Sequence, residues 1–406
     1  MKFVSKSFAL LCIGLLGSCW CHAESDGAGW GSDAFALKGF GTLGFARSND
    51  DSAEYVRDLS QPHGLTRKWS SKVDSLLGLQ ANLKLGTQTE GVLQVISRYR
   101  YDGSHDPEVS WAFLRHDFTP DFQARVGRLG TEFYMQADSR LVGYSNTTVR
   151  PPPDFYGPLV FSYFDGLDVS ASAPLGDGLL RGKLFAGYSP ERSPFVDPIT
   201  WNLKGSLLAG GHLDYFVGAW QFRAAHAQVR FEHELPLNYL AGFDIISLVP
   251  ELSAKDKTAR FDSLGVIYDQ GPLQIQAMLG RVGYNSASYE DSKAAFVIAS
   301  YRVEQFTPYV GYSVTKSSAS SIKTTLPWPG GAAIIAGAQT LTAATHSDQH
   351  TVTLGTRWDF YRNLALKAQL DMVRGQRESV FPFRGDDLSR WDGRMNVFSV
   401  ALDFAF

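Results

Sequence analysis

Residues 395–406 read MNVFSVALDFAF, from Met395 to Phe406. Asn396, Phe398, Val400, Leu402, Phe404 and Phe406 fall on one face of an extended chain, and Val397, Ser399, Ala401, Asp403 and Ala405 on the other. A strict period of two is the mark of a strand. Large apolar side chains on one face and small or polar ones on the other suit a strand with hydrocarbon outside and water inside. The competing reading is the edge strand of a soluble sandwich.

The same alternation recurs along the chain. It marks Phe35–Ala46, Ser75–Gly86, Val92–Tyr101, Val109–Phe118, Phe122–Leu129, Val160–Ala173, Leu179–Tyr188 and Ser206–Val217 in the first half. In the second half it marks Trp220–Glu232, Arg260–Tyr268, Leu273–Tyr284, Ala294–Val303, Thr307–Lys316, His350–Phe360 and Leu364–Arg374. With the last stretch this makes about sixteen strands, an even number as in closed bacterial barrels. The connections alternate as well. Thr87–Gly91, Thr119–Asp121, Pro174–Gly178, Gly218–Ala219, Asp269–Pro272, Glu304–Phe306 and Tyr361–Asn363 are tight, whereas the intervening ones are longer, as in Gly130–Leu159 and Ser317–Gln349. A meander with all its short turns on one side and its long loops on the other produces this order. The expected fold is therefore all-β: a transmembrane antiparallel up-and-down β-barrel. Aromatics at strand tips, including Tyr99, Tyr101, Tyr188, Tyr215, Trp220, Tyr284, Tyr309, Tyr312, Trp358 and Phe360, fit interface girdles.

Lys2 and Lys6 precede an apolar run from Phe8 to Gly17, and Cys21-His22-Ala23 ends on a small residue. This pattern predicts an export signal over residues 1–23, too short to span as an anchor. A lipoprotein box at Leu16-Gly17-Ser18-Cys19 is the alternative, and its glycine fits poorly. Cleavage after Ala23 removes all three cysteines, leaving no disulfide framework and no thiol chemistry. It also removes two lysines and no acids, moving the formal charge from −3 to −5. That balance gives no footprint for nucleic acid. Residues 24–34 read as a short lead-in and 35–406 as one barrel domain.

Patterns that carry chemistry are few. Gly39-x-Gly41-x-x-Gly44 matches a dinucleotide fingerprint in letters, yet a polar run follows where that site needs a helix, and strand glycines account for it better. There is no His-Glu-x-x-His, no Gly-x-Ser-x-Gly and no metal-spaced cysteine pair. The sequence thus predicts no enzyme, no cofactor and no metal. His226 and His233 read as solvated loop histidines, Asp50-Asp51 and Asp386-Asp387 as solvated acid pairs, and Ala332–Ala344 as a flexible tip or a short hairpin.

The terminal aromatic Phe406, with Phe404 two residues earlier, resembles the closing strand of Gram-negative outer-membrane barrels, in which that residue is implied to be the assembly signal. Gly127-Arg128, the long segment Gly130–Leu159, and Tyr163-Phe-Asp-Gly-Leu-Asp-Val169 resemble the general Gram-negative porin family. The likeness covers Phe35 to Phe406 and implies an inward-folded third loop over residues 130–159, a homotrimer, and outer-membrane lipid around it. The loop carries Arg150-Pro151-Pro152-Pro153 where the family has an acidic Pro-Glu-Phe-Gly-Gly run, and it has no lysine.

Such a loop is expected to set Glu132, Asp138 and Asp154, alongside its own Arg140 and Arg150, against wall arginines, giving a transverse field across a narrow aqueous section. Alternation puts Arg98, Arg100, Arg125, Arg357, Asp359, Lys367 and Asp371 on the inward face, because a charge on the lipid face costs about 2–4 kcal/mol at mid-membrane. Many inward positions are Ser, Thr, Gly or Ala, which predicts room for water. The leading expectation is a passive channel for small hydrophilic solutes and ions in the outer membrane. A barrel enzyme of phospholipase or protease type, and a closed structural or adhesin barrel, are the alternatives.

Overall fold

The computed structural model describes residues 30–32, 34–383 and 390–406. The expected export signal and Asp386-Asp387 lie outside the described residues. Sixteen strands run antiparallel to their neighbours in chain order. They are β1 (Phe35–Ser48), β2 (Leu76–Lys84), β3 (Thr89–Arg98), β4 (Glu108–Thr119), β5 (Phe122–Gly130), β6 (Tyr163–Leu175), β7 (Gly178–Tyr188) and β8 (Leu207–Val217), then β9 (Trp220–Arg230), β10 (Thr258–Gln270), β11 (Leu273–Tyr284), β12 (Asp291–Tyr301), β13 (Phe306–Ser318), β14 (Asp348–Tyr361), β15 (Leu364–Gly375) and β16 (Arg394–Ala405). The sheet closes where β16 pairs with β1, with Leu402 opposite Leu43 and Phe404 opposite Gly41. The expected barrel of sixteen strands is therefore present, with every strand where the alternation marked one.

The strands keep the period of two apart from register shifts at Ser110 in β4, between Asp117 and Thr119, and at the end of β14. Leu43 and Phe45 of β1, Leu77 and Leu79 of β2, and Leu264 of β10 are exposed, while Thr42, Ala46, Gln80 and Phe261 between them are buried. Hydrocarbon thus meets one face of the ring. Phe118, Phe122, Trp220, Phe222, Phe306, Trp358 and Phe360 stand outward near the tight turns, with Trp220 and Tyr268 ring centroids 4.6 Å apart and Phe306 and Trp358 5.7 Å apart. They form one girdle, as amphipathic and aromatic rings do at a lipid boundary. Tyr309, expected among the girdle residues, is only 5% exposed because it falls on the buried parity of β13, while Tyr99, also expected there and 2% exposed, lies just past the end of β3 with its ring 5.5 Å from His105 and Lys72 over it at 5.4 Å.

The closing seam explains the glycine pattern in β1. Gly39 N–H donates to the Phe406 carbonyl and Phe406 N–H to the Gly39 carbonyl, both at 2.8 Å, so pairing continues to the last residue. On the outer wall the Phe406 ring lies over Gly39 and the Phe404 ring over Gly41, in space that a Cβ at either glycine would occupy. Gly44 faces inward against Asp74. The dinucleotide letters are strand contacts.

Among the long connections, residues 319–347 contain a helix, Gly331–Ala343. Neither the flexible tip nor the hairpin expected there forms. Alanine carries the strongest helix propensity, and Gly330 starts the helix at φ 88°, which glycine adopts without strain. His226 is in β9, on the outer wall, rather than in a loop.

Substituting valine at both Gly39 and Gly41 is expected to push the two rings off the wall and to destabilise the folded barrel by about 1–3 kcal/mol, the usual penalty of overpacking. The measurement is the urea midpoint of the refolded protein in detergent, compared with Gly86→Val, where nothing lies within 4 Å of the added Cβ.

Candidate functional site

Residues 131–162, between β5 and β6, lie against the inward faces of strands all round the ring. The path begins beside β7 to β11. Phe133 packs 4.9 Å from Phe261 and 6.0 Å from Phe185, and Gln276 donates to Gln136 at 3.1 Å. It then crosses to β14 and β15, where Lys367 Nζ donates to the carbonyls of Gly143, Asn146 and Thr148 at 2.8, 2.6 and 3.1 Å. Arg357 donates to Tyr144 O at 2.7 Å and Asn146 O at 3.1 Å, its guanidinium 4.7 Å from the Tyr144 ring. The route returns past β13 and β12. Asp154 accepts from Ser313 Oγ and Gln349 Nε2, and the Phe155 ring meets Phe296 at 5.1 Å.

Proline supplies the turn that makes this return possible. Pro153 opens a single helical turn, Pro153–Tyr156, and all four of its residues are buried. A proline at the first helical position gives up no backbone bond. The helix directs Phe155 and Tyr156 into the apolar interior, where Tyr156 Oη donates to Met135 O at 2.6 Å. Burying an aromatic side chain is worth about 1.5–3 kcal/mol, whereas a buried ion pair roughly breaks even against its desolvation. Phe133, Tyr134, Phe155 and Tyr156 therefore hold the segment in place, and the charged groups set its register.

Three charge clusters accompany it. Arg150, 2% exposed, donates to both carboxylate oxygens of Asp74 at 2.8 and 2.6 Å, to Asp371 at 2.8 Å and to Ser399 Oγ at 2.6 Å. Glu132 meets Lys183 at 2.5 Å, His212 at 3.0 Å and Arg125 at 3.1 Å, while Arg125 also pairs with Asp168. Arg98 bonds Glu108 at 2.9 Å and Ser60 at 2.7 Å, and Arg140 bonds Ala137 O at 2.7 Å and Ser162 Oγ at 3.0 Å. Burial would lift the nearby Asp58 carboxyl, yet Arg57, Arg98 and Arg140 hold it below the usual carboxylate range. Asp138 lies behind Gly130; burial and the neighbouring Glu132 raise its carboxyl.

These placements revise several expectations. Charges are matched into closed pairs rather than opposed across an aqueous gap. The loop supplies the cation in the Arg150 cluster, the wall supplies Asp371 and the connection before β2 supplies Asp74, and Asp154 is met by neutral donors. Arg100 lies past the end of β3, 3.7 Å from Glu108 and over the Tyr101 ring, because the strand stops at Arg98. Arg125, Arg357, Asp359, Lys367 and Asp371 occupy inward positions, with Arg357 bonded to Asp359 at 2.8 Å and Lys367 2.8 Å from Asp403. The inward Ser, Thr, Gly and Ala positions do not hold a wide water column, since residues from the connections fill the space beside them. Ser399, Ala401, Ser313 and Thr315 are all buried. Lys183, His212, Asp214 and Arg223 also belong to the interior network, and the alternation of β7, β8 and β9 marks each of them as inward. Asp74, by contrast, sits at a loop end where no periodicity speaks.

Toward the long loops the interior carries apolar packing, including Leu129, Phe161, Phe164, Leu208 and Val229 with Trp201, Leu203 and Val249 from the connections. Toward the tight turns a recess of about 180 Å³ is lined by Arg115, Asp117, Gln123 and Ser170 among others.

No family model matches this chain, and no curated protein matches it. Among solved structures it is similar to OmpF of Salmonella typhi in complex with daunomycin, with a TM-score of 0.57 at 13% identity over 92% of this chain and 97% of that one. It is also similar to an anion-selective porin from Comamonas acidovorans, with a TM-score of 0.55 at 14% identity over 92% of this chain and 99% of that one. OmpT, an outer membrane protein of Vibrio cholerae, matches with a TM-score of 0.54 at 14% identity, covering 94% of this chain and all of that one. The chain has the fold of the outer-membrane porins, the family its sequence resembles.

One group ties the end of the segment to the next connection. Glu191 accepts from the N–H groups of Ser162 at 2.8 Å and Tyr163 at 3.3 Å, and burial together with nearby Glu108 pushes its carboxyl up to about 7. Folding therefore favours the protonated form. Its contribution is complete below about pH 4.5 and is lost as pH rises through 7, a span of roughly 3 kcal/mol. Urea midpoints should fall between pH 4.5 and pH 8, and Glu191→Gln should flatten that dependence.

Proposed function

We propose that this protein is a porin-type channel of the outer membrane, exported by residues 1–23, that passes small hydrophilic solutes and ions by passive diffusion. Its bore is held shut or very narrow by residues 131–162, and conduction follows displacement of that segment. It is not an enzyme, and it assembles as a homotrimer, as the family it resembles implies. The reading is carried by one observation: charged side chains line the interior of a closed barrel, yet they are neutralised by a segment of the same chain that is anchored by matched ion pairs. A permanent core is built most stably from apolar groups, whereas buried ion pairs roughly break even against their desolvation. Charges inside this barrel make sense where water enters when the segment moves. Arg98, Arg125, Glu132, Asp138, Arg140, Arg150, Asp154, Arg357, Asp359, Lys367 and Asp371 are then the groups that meet permeating ions, with Arg100 at the outer margin.

A second reading is a closed structural barrel, and the burial of the inward faces of β15 and β16 favours it. Planar-bilayer recording separates the two. The channel reading expects rare, small openings in the wild type and more frequent, larger ones in Arg150→Ala. That change leaves Asp74 and Asp371 without their cation, a loss of about 3–5 kcal/mol. Silence at all voltages in the wild type, in Arg150→Ala and in a variant lacking residues 133–158 would establish the closed barrel instead.

A further inference from the structure

The register of the wall sets ionisable side chains directly opposite one another across six consecutive strands. His226 of β9 faces Asp262 of β10, Asp262 faces Arg281 of β11, and Arg281 faces Lys293 of β12. Lys293 in turn faces Lys316 of β13, and Lys316 faces Asp348 of β14. Each is on the outward parity, between buried neighbours such as Ala227, Phe261, Val282 and Thr315. Three cations therefore stand side by side at the centre of the row. Side chains opposite one another on a sheet are about 5 Å apart, and like charges in that position repel.

The carboxylates nearby offset this only at the margins. His226 Nδ1 lies 2.6 Å from Asp262, Lys316 Nζ 3.0 Å from Asp348, and Arg281 3.8 Å from Asp291. Lys293, in the middle, makes no ion pair among the described residues, nor does Arg260, one position nearer the long connections. A stretch of wall bordered by hydrocarbon thus presents cations that the chain leaves uncompensated.

Two residues toward the tight turns, on the same face, come Ala224, Leu264, Leu279, Ala295 and Val314. They line one side of a groove of about 1550 Å³ on the outside of the barrel, floored by small residues such as Ala171, Gly182, Ala209 and Gly211. Small side chains leave the wall hollow there. We infer that the row and the groove form one binding site for a phosphorylated lipid carrying several acyl chains, in the leaflet on the long-loop side. The cations take the phosphates and the hollow wall takes the chains. The order of the two along the strands, charge toward the long connections and groove toward the membrane centre, is the orientation such a lipid has in that leaflet. A second copy of the chain fits less well. The opposite outer wall presents Leu43, Phe45, Leu77, Leu79 and Leu93, which bring no anion.

Binding to the refolded full-length protein in detergent, read by native mass spectrometry, tests the site with a diphosphorylated, hexa-acylated lipid A, the same lipid without phosphates, and inorganic phosphate. Arg281→Gln with Lys293→Gln and Lys316→Gln is expected to weaken the phosphorylated lipid about a hundredfold while leaving the dephosphorylated one unchanged. Ala224→Trp with Ala295→Trp, which fills the groove, should weaken both lipids. Should the triple variant not refold, Lys293→Gln alone carries the comparison, with a loss of about fivefold expected. Equal binding of the phosphorylated lipid by wild type and variant overturns the inference. So does displacement of the lipid by inorganic phosphate at matched concentration, or a cross-link from Lys293→Cys to a second copy that added lipid does not prevent.

Discussion

Everything in this molecule follows from the demand that no backbone N–H or C=O be left unpaired in hydrocarbon. A sheet meets that demand only by closing, and closure here falls to the pairing of β16 with β1. The consequences reach down to single residues. Two glycines in β1 are bare so that two phenylalanines of the last strand can lie flat across the seam. Phe406 still exchanges both of its backbone bonds with Gly39.

Closure also creates an interior, and residues 131–162 of the same chain pass through it. A wall built for water would leave arginines hydrated; here Arg150 has exchanged water for two carboxylates and a hydroxyl. Exchange of that kind is close to neutral in free energy when every lone pair is matched and very unfavourable when one partner is missing. The apolar contacts of Phe133, Tyr134, Phe155 and Tyr156 tip the balance toward occupation. Seating of the segment is thus a matter of aromatic burial, and its register is a matter of charge.

How much of this was legible beforehand depends on which physical signal each part leaves. Strands facing lipid on one side leave a period of two, and sixteen of them could be marked with their turns; the sign of each connection, short or long, followed. Inward charges were legible for the same reason, because Arg125, Lys367 and Asp371 fall on the face opposite large apolar groups. Their partners were not. Asp74 and Glu191 sit in connections, where no repeat constrains direction, and their meeting with Arg150 or with Ser162 depends on how loops fold in three dimensions. The parity of Tyr309 was available, yet the preference of aromatics for membrane boundaries suggested the wrong side; Tyr99 is covered by His105 and Lys72 from the connections, where no repeat constrains direction. The helix Gly331–Ala343 was missed because its run of small residues carries no amphipathic stripe.

The partners of Arg150 come from opposite ends of the polypeptide, Asp74 following β1 and Asp371 and Ser399 belonging to the last two strands. Such a cluster does not exist until the first and last strands have met. The guanidinium therefore acts as a witness to completion: until β16 joins β15 to β1, Asp371 and Asp74 are held apart and Ser399 is not in place, so the segment that carries Arg150 lacks its full set of partners. The cluster thus joins the closure of the wall to the seating of the segment inside it.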